Sequence, residues 1–335
     1  MKKVCVTGGA SFIGSHLCER LKKEGCEVTV IDDLSSGKRE NLEGVDVKLI
    51  VSDVRNIENT AKAFKGCDTV FHLAAQHGGR GYIDTHPVFC SQNMAIDADV
   101  YKVAAQQKVK QVVFASSACV YPKDLQGYNS DGYLLKEEDA NFKERGKAFP
   151  DGEYGWAKLM GELQLLAYVK EGHFKGVSCR LFTAYGPREN ETHAIIALIL
   201  KTFLKLDPFP LWGTGKETRN FTYVLDTVEG MVRAAKTITD GSAVNVGTPI
   251  HHYLTDAARE IFNIVGWKPK EIKFESDKPV GVARRAASTD KLKSLVGWEP
   301  SISLKDGLKK TIKWYKEDRF SKINKKDLNR LLTER

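Results

Sequence analysis

Lys3-Val4-Cys5-Val6-Thr7-Gly8-Gly9-Ala10-Ser11-Phe12-Ile13-Gly14 decides the fold of this chain. The β-branched run at 3–7 predicts a strand, and the glycines that follow it predict a tight turn. Apolar Phe12, Ile13, Leu17 and Leu21 then recur at helical spacing and predict a helix over 12–24. Residues 27–31 predict a second strand, which ends in Asp32-Asp33. Strand, glycine turn, helix, strand and acid in this order make the dinucleotide-binding βαβ pattern. Gly8 and Gly14 shape the turn, and the free amides at Ser11, Phe12 and Ile13 face a pyrophosphate at the helix N-terminus. Asp32 is placed to accept from the adenosine ribose and would repel a 2′-phosphate, which favours NAD over NADP. Lys38 and Arg39 follow the loop and argue weakly the other way. Ser11 stands where a middle glycine is usual; its hydroxyl could donate to phosphate, but its Cβ limits how closely the backbone approaches. No phosphate-binding Gly-x4-Gly-Lys-Ser/Thr loop occurs.

The pattern repeats along the chain. Residues 47–51 predict a third strand before Asp53-Val54, and Asp53 suits either the adenine amino group or a helix cap. Residues 69–75 predict a fourth strand whose end, Leu73-Ala74-Ala75, is small enough for a cofactor to lie over it. A flexible loop at 76–81 and a helix over 87–107 follow, then a strand at 111–116. Four βα units in a row predict a doubly wound parallel α/β sheet. Residues 177–182 supply a sixth strand, and the pattern changes from Tyr185 onward. The expected organisation is a dinucleotide-binding domain over 1–184, with a strand returning near 243–247, a smaller α+β substrate lobe over 185–318 and a basic tail over 319–335. The tail is expected as a solvated helix from residue 320.

The strand at 111–116 ends in small polar residues, where an open α/β sheet places its chemistry. Ser117 lies there, and Gly152 opens a helix carrying Tyr154 and Lys158 on one face. A lysine beside a tyrosine lowers the phenol pKa. Such a tyrosine is a base for a sugar hydroxyl while a hydride leaves the same carbon, with Ser117 holding the hydroxyl. The 30-residue polar stretch between them, 122–151, is long enough to be functional.

Composition sets outer limits. The chain has 335 residues, 42% hydrophobic and 28% charged, enough for two small domains or one bilobed unit. A net charge of +8 suits an anionic small molecule, and no basic run interleaved with aromatics points to nucleic acid. Seven scattered cysteines without a Cys-x-x-Cys pair suggest free thiols in a reducing compartment, so a cytoplasmic protein is expected. No apolar segment reaches membrane-spanning length. His251-His252 lacks a metal-ligand spacing, and no metal is assigned.

Thr7-Gly-Gly-Ala-x-Phe-Ile-Gly-Ser-His16, Ser117, Tyr154-x-x-x-Lys158, Tyr185-Gly-Pro187 and Trp212-Gly-x-Gly-x-x-x-Arg219 resemble the extended short-chain dehydrogenase/reductases, the NAD-dependent nucleotide-sugar epimerases and dehydratases. The resemblance spans about residues 1–318. It implies a Rossmann-type domain, a C-terminal substrate lobe, a homodimer formed through the helices near 90–107 and 154–171, and contact of Arg219 with the nucleotide diphosphate. Dehydratases and decarboxylases of the family carry acids just after the catalytic serine or threonine; Ala118 and Cys119 stand here and argue against both reactions. Cys119 resembles the GDP-mannose 3,5-epimerases and GDP-fucose synthases, as does the loop containing Gly79 and Arg80. His193 matches the segment in which GDP-fucose synthases place a histidine. The resemblance therefore implies Cys119 and His193 as an acid/base pair at C3 and C5, beside Tyr154 at the C4 hydroxyl. Thr183 departs from the asparagine usual in the 3,5-epimerases; Thr183-x-Tyr-Gly-Pro-Arg188 is closer to the UDP-glucuronate 4-epimerases, where an arginine meets a carboxylate. Epimerisation of a GDP-sugar at C3 and C5 is the favoured expectation, with a UDP-sugar 4-epimerase as the alternative and a non-catalytic NAD sensor as the remote one.

Overall fold

The computed structural model describes residues 1–323 and 328–333. In chain order the elements of the first half are β1 (Lys3–Thr7), α1 (Phe12–Lys23), β2 (Glu27–Asp32), β3 (Lys48–Val51), α2 (Ile57–Phe64), β4 (Thr69–His72), α3 (Arg80–Thr85), α4 (Pro87–Ser91), α5 (Asn93–Gln106), β5 (Gln111–Ser117), α6 (Gly152–Lys170) and β6 (Lys175–Leu181). The second half holds β7 (Ala184–Tyr185), α7 (Ala194–Phe203), β8 (Phe209–Trp212), β9 (Thr218–Arg219), β10 (Thr222–Tyr223), α8 (Val224–Thr237), β11 (Asp240–Val246), β12 (His252–Tyr253), α9 (Leu254–Val265), β13 (Ile272–Glu275), α10 (Asp290–Val296), α11 (Leu304–Trp314) and α12 (Leu328–Thr333).

Among the described residues, seven strands form one parallel sheet in the order β11-β6-β5-β4-β1-β2-β3. This is a Rossmann-type doubly wound α/β fold, and the order reverses between β1 and β4. Helices α2, α5 and α6 cover one face through Phe64, Val100, Tyr101 and Leu165. On the other face α1 and α8 pack together, and that core continues into α7 and α9 through Ile199, Val228 and Ile261. Strand β11 joins the sheet beside β6 after the chain has left it, as the segment 243–247 suggested.

Four local expectations change. Strand β4 stops at His72: the Leu73 amide is shared between the Thr7 carbonyl and Oγ1 (3.2 and 3.1 Å), and the Ala74 amide turns to Oγ1 (3.0 Å) instead of continuing a ladder. The helix expected over 87–107 breaks at Gln92, where the Asn93 side chain donates to the Cys90 carbonyl (3.0 Å) and clamps the backbone of Gln76. That clamp, and a bond from the Gly79 amide to Thr192 Oγ1 (3.0 Å), tie down the segment expected to be a flexible loop. The tail is not a solvated helix throughout: Ile323 and Leu332 are buried, and α12 packs against α3. Residues 324–327, 334 and 335 lie outside the described residues.

Candidate active site

A cavity of about 1090 Å³ runs along the carboxyl ends of the strands. At its dinucleotide end, Gly8 has φ +69°, and a Cβ there would sit 2.9 Å from the Ala74 amide nitrogen. A Cβ on Gly14 would fall 2.2 Å from the Gly8 carbonyl, so this glycine lets α1 close on the turn rather than lining the cavity. Phe12, Ile13, Val54, Leu73, Ala74 and Ala75 all line the wall. No side chain caps the start of α1, which leaves its first amides for a ligand. Asp32 accepts from the Ala10 and Leu34 amides (2.9 and 2.8 Å), while burial pushes its pKa up. This cradle, shut to any Cβ at Gly8 and closed by an acid at the end of β2, fits NAD. Gly8, Asp32 and the α1 amides would hold it.

Two residues expected to meet the cofactor are engaged elsewhere. The Ser11 hydroxyl donates to the Gly8 carbonyl (2.5 Å) rather than reaching outward, although Ser11 lines the cavity. Asp53 also lines it, but its carboxylate grips Arg55 through both oxygens (3.0 and 2.6 Å), which holds its pKa down.

At the other end β5 and α6 bring Ser117, Cys119, Tyr154 and Lys158 into the same wall. Gly155 permits this: a Cβ there would lie 2.3 Å from the Cys119 carbonyl. Ser117 faces the Tyr154 phenol and pulls its pKa down, and its Oγ accepts from the Cys119 amide (3.1 Å). The expected effect of Lys158 on Tyr154 is corrected. Burial, then Cys119, push the Tyr154 pKa well up. Lys158 Nζ sits 4.7 Å from the Phe114 ring centre and 5.9 Å from that of Tyr154, buried near Asp97 and Glu162. Burial lowers the Lys158 pKa, against the pull of those two acids. Thr7, His72 and Asp97 form a buried chain behind it: Thr7 Oγ1 to His72 Nδ1 is 2.8 Å and His72 Nε2 to Asp97 is 2.9 Å.

His193 joins the wall from the start of α7, with His77 edge-on at 5.4 Å between ring centres and Tyr154 beyond His77 at 6.4 Å. Burial, then His77, take the His193 pKa down to about 3. Thr183 also lines the cavity. Arg188 does so from the dinucleotide side, where it binds Glu19 and Ser15 of α1 and not the sugar end. Gly79, Arg80 and Arg219 stand outside the wall. Gly79 has no room for a side chain, since a Cβ would lie 1.8 Å from the Thr192 carbonyl. Arg80 pairs with Asp84 and with Asp151 (2.8 Å), and Arg219 donates to the Thr218 and Val280 carbonyls (2.7 and 2.6 Å). Burial, then Arg285, bring the Arg219 pKa down to about 10.

Arg285 was missed by sequence reading. It lines the cavity and donates to Cys119 Sγ (3.6 Å), Asp151 (3.3 Å) and Gln126 (2.7 Å). With Arg80 and Arg219 it makes a cluster of guanidiniums around one buried carboxylate, suited to an anionic substrate group. No spacing signals Arg285, which meets Cys119 across 166 residues of chain. His77, Glu189 and Asp97 carried no signal either.

A family model described as the NAD dependent epimerase/dehydratase family matches residues 4–247. The chain belongs to this family, and NAD is its cofactor. It is 32% identical to the GDP-mannose 3,5-epimerase of Arabidopsis thaliana, over 94% of this chain and 82% of that protein. It is 30% identical to a UDP-N-acetyl-alpha-D-glucosaminuronate decarboxylase of Bacillus cytotoxicus, over 95% of this chain and 99% of that one. Among solved structures, the Thermus thermophilus UDP-glucose 4-epimerase in complex with NAD superposes with a TM-score of 0.80 at 26% identity, covering 94% of this chain and 99% of that one. Epimerases and a decarboxylase are thus similar at nearly the same identity, although Ala118 and Cys119 stand where acids were expected for decarboxylation.

Proposed function

We propose that this protein epimerises a nucleotide-diphosphate sugar at C3 and C5 through transient oxidation at C4, with a GDP-mannose-like sugar as substrate. One observation carries the reading: Cys119 and His193 line the same cavity wall as Tyr154. NAD, when bound, would supply the hydride acceptor and donor for C4. Ser117 orients the C4 hydroxyl and Tyr154 takes its proton, which needs the phenolate that Ser117 favours. A C4 ketone makes the C3 and C5 protons acidic. Inverting those carbons needs a base on one face and an acid on the other, roles that fit a thiol and an imidazole. Arg285, beside the Cys119 sulfur, supports charge on that side.

A UDP-sugar 4-epimerase is the second reading, favoured by Thr183 in the wall and by likeness to UDP-glucose 4-epimerases. It needs Tyr154 and NAD but no proton exchange at carbon. A non-catalytic sensor would have no use for Tyr154, Ser117 and Lys158 gathered at one end of the cavity. A homodimer through α4, α5 and α6 is supported by exposed Val88, Phe89, Met94 and Trp156 on those helices. Buried cysteines such as Cys5, Cys18 and Cys179, carried as thiols, suit the cytoplasm.

Turnover in D2O, with GDP-mannose and UDP-glucuronate offered separately, tests the reading. Deuterium at C3 or C5 of product is the expected NMR result. Inversion without deuterium would leave the 4-epimerase, and evolved CO2 would point to a decarboxylase.

A further inference from the structure

The segment between β7 and α7 builds something the epimerase chemistry above does not account for. Arg188 holds φ +72°, a left-handed conformation that costs a non-glycine residue strain. The next residue, Glu189, is 3% exposed. One oxygen of its carboxyl, Oε1, lies 3.2 Å from His193 Nδ1, and the other, Oε2, is buried without a hydrogen-bond partner among the described residues. The loop is stiff around this pair. Asn190 Oδ1 accepts from the Thr192 amide and hydroxyl (3.0 and 2.5 Å), and Thr192 in turn accepts from Gly79. Glu191, the acid nearest in sequence, is occupied by Arg319 (2.6 Å) and the Tyr315 hydroxyl (3.2 Å), so no cation of that cluster reaches Glu189. His77 is the titratable group that faces His193 from the other side.

Burial, and then the neighbouring Glu191, push the Glu189 pKa well up and favour the protonated acid, against a backbone hydrogen bond from Gly186. Burial keeps His193 neutral. A neutral acid beside a neutral imidazole is unlike the usual carboxylate that stabilises an imidazolium. At 3.2 Å a protonated Glu189 can donate to Nδ1 only in the tautomer that carries the ring proton on Nε2.

We propose that Glu189 is the positioning residue of His193 and supplies it with a proton, so that the pair relays a proton to the sugar through Nε2. This rests on the 3,5-epimerase reading. As the enolate carbon at C3 or C5 takes the Nε2 proton, that N–H bond breaks and a C–H bond forms. Nδ1 takes the Glu189 proton, and the electrons of the carboxyl O–H bond stay on oxygen. Negative charge passes from the enolate to Glu189, and imidazolium is never formed. The proton first removed from the sugar resides on Cys119, whose thiolate was the base. The thiol proton then passes by way of water to Nε2 while the single ring proton on Nδ1 returns to Glu189, which restores the thiolate, the Nε2–H imidazole and the carboxylic acid. The relay delivers a proton from one face only, which sets His193 as acid and Cys119 as base.

The test uses the NAD-loaded enzyme and the GDP-sugar in D2O. Wild type must place deuterium at C3 or C5. If it does not, the epimerase reading fails and the relay fails with it, in this arm alone. Given exchange, E189Q keeps a donor toward Nδ1 but has no proton to release. Its exchange should fall about 100-fold or more, while reduction of the bound cofactor at 340 nm, which reports C4 oxidation, is unchanged. E189D should recover part of the exchange, and E189Q added to H193Q should cost nothing further. The proton inventory of exchange should be curved in wild type and linear in E189Q. Exchange at the wild-type rate in E189Q, or additive losses in the double variant, overturns the proposal. Should E189Q not fold, the 15N spectrum of wild-type histidines decides: a neutral Nε2–H tautomer at His193 from pH 5 to 8 supports the relay, and an Nδ1–H tautomer overturns it.

Discussion

Tyr154 and His16 show how burial sets chemistry at single residues. Tyr154 is 9% exposed, and its phenol is held well above the ordinary range. It cannot act as a base until something offsets that burial, and the hydrogen bond of Ser117 does so only in small part. Tyr154→Phe should therefore bind NAD as tightly as wild type in calorimetry, while turnover falls by about 10² to 10⁴. His16 is buried under Pro187, whose carbonyl meets its Nε2 at 3.0 Å. Burial, and then Arg188, lower its pKa to about 4. In the unfolded chain it titrates near 6.5. Between these values the unfolded state binds more protons, so stability is full above about pH 6.5 and is lost as pH falls toward 4. The share is on the order of 3 kcal/mol. His16→Asn should be less stable at pH 7 yet lose less melting temperature between pH 7 and pH 4.5. A melting series across that range checks it, and parallel curves would refute it.

At the scale of elements, the sequence was clearest where local chemistry alone decides. Strand, turn and helix at 3–24, Asp32 at the end of β2, and Tyr154 and Lys158 on one face of α6 were all legible, because each depends on neighbours within a few residues. Side-chain substitutes for backbone bonding were not. Thr7 ends β4 and Asn93 breaks the 87–107 helix through contacts from far along the chain. Nor did sequence show how the long segment 122–151 is held. Arg180 of β6, fully buried, donates to the carbonyls of Glu137 and Ala140 (both 2.8 Å) and pairs with Glu162 of α6 (2.8 Å). Arg180→Met should cost about 3–5 kcal/mol, since Glu162 is left as a buried charge without a cation. Limited proteolysis should then cut within 122–151, and Glu162→Gln in the same chain should restore part of the lost stability. Unchanged cleavage would mean the segment is held by its own turns.

Across the whole molecule, the C-terminal arm links the two ends of the cavity, a role its basic composition hid. After α11 the chain passes the dinucleotide end, where Trp314, Asp318, Arg319 and Lys322 line the wall. Its far end, α12, packs on α3, the helix that begins with Arg80. Arg80 reaches Asp151, and Asp151 reaches Arg285 and so the Cys119 sulfur. The two parts of the arm should therefore affect different steps. Arg319→Ala removes the cation on Glu191 and one wall of the dinucleotide site, so NAD affinity should fall by roughly tenfold, about 1.4 kcal/mol. A chain ending at Ile323 keeps that wall but loses α12 with its buried Leu332, which leaves α3 unpacked and frees Arg80 to move. Its NAD affinity should be unchanged, while KM for the sugar nucleotide rises several-fold. Calorimetric titration with NAD and steady-state kinetics on both variants separate the effects. Equal loss of NAD affinity in both would show that the arm acts only as a structural strap.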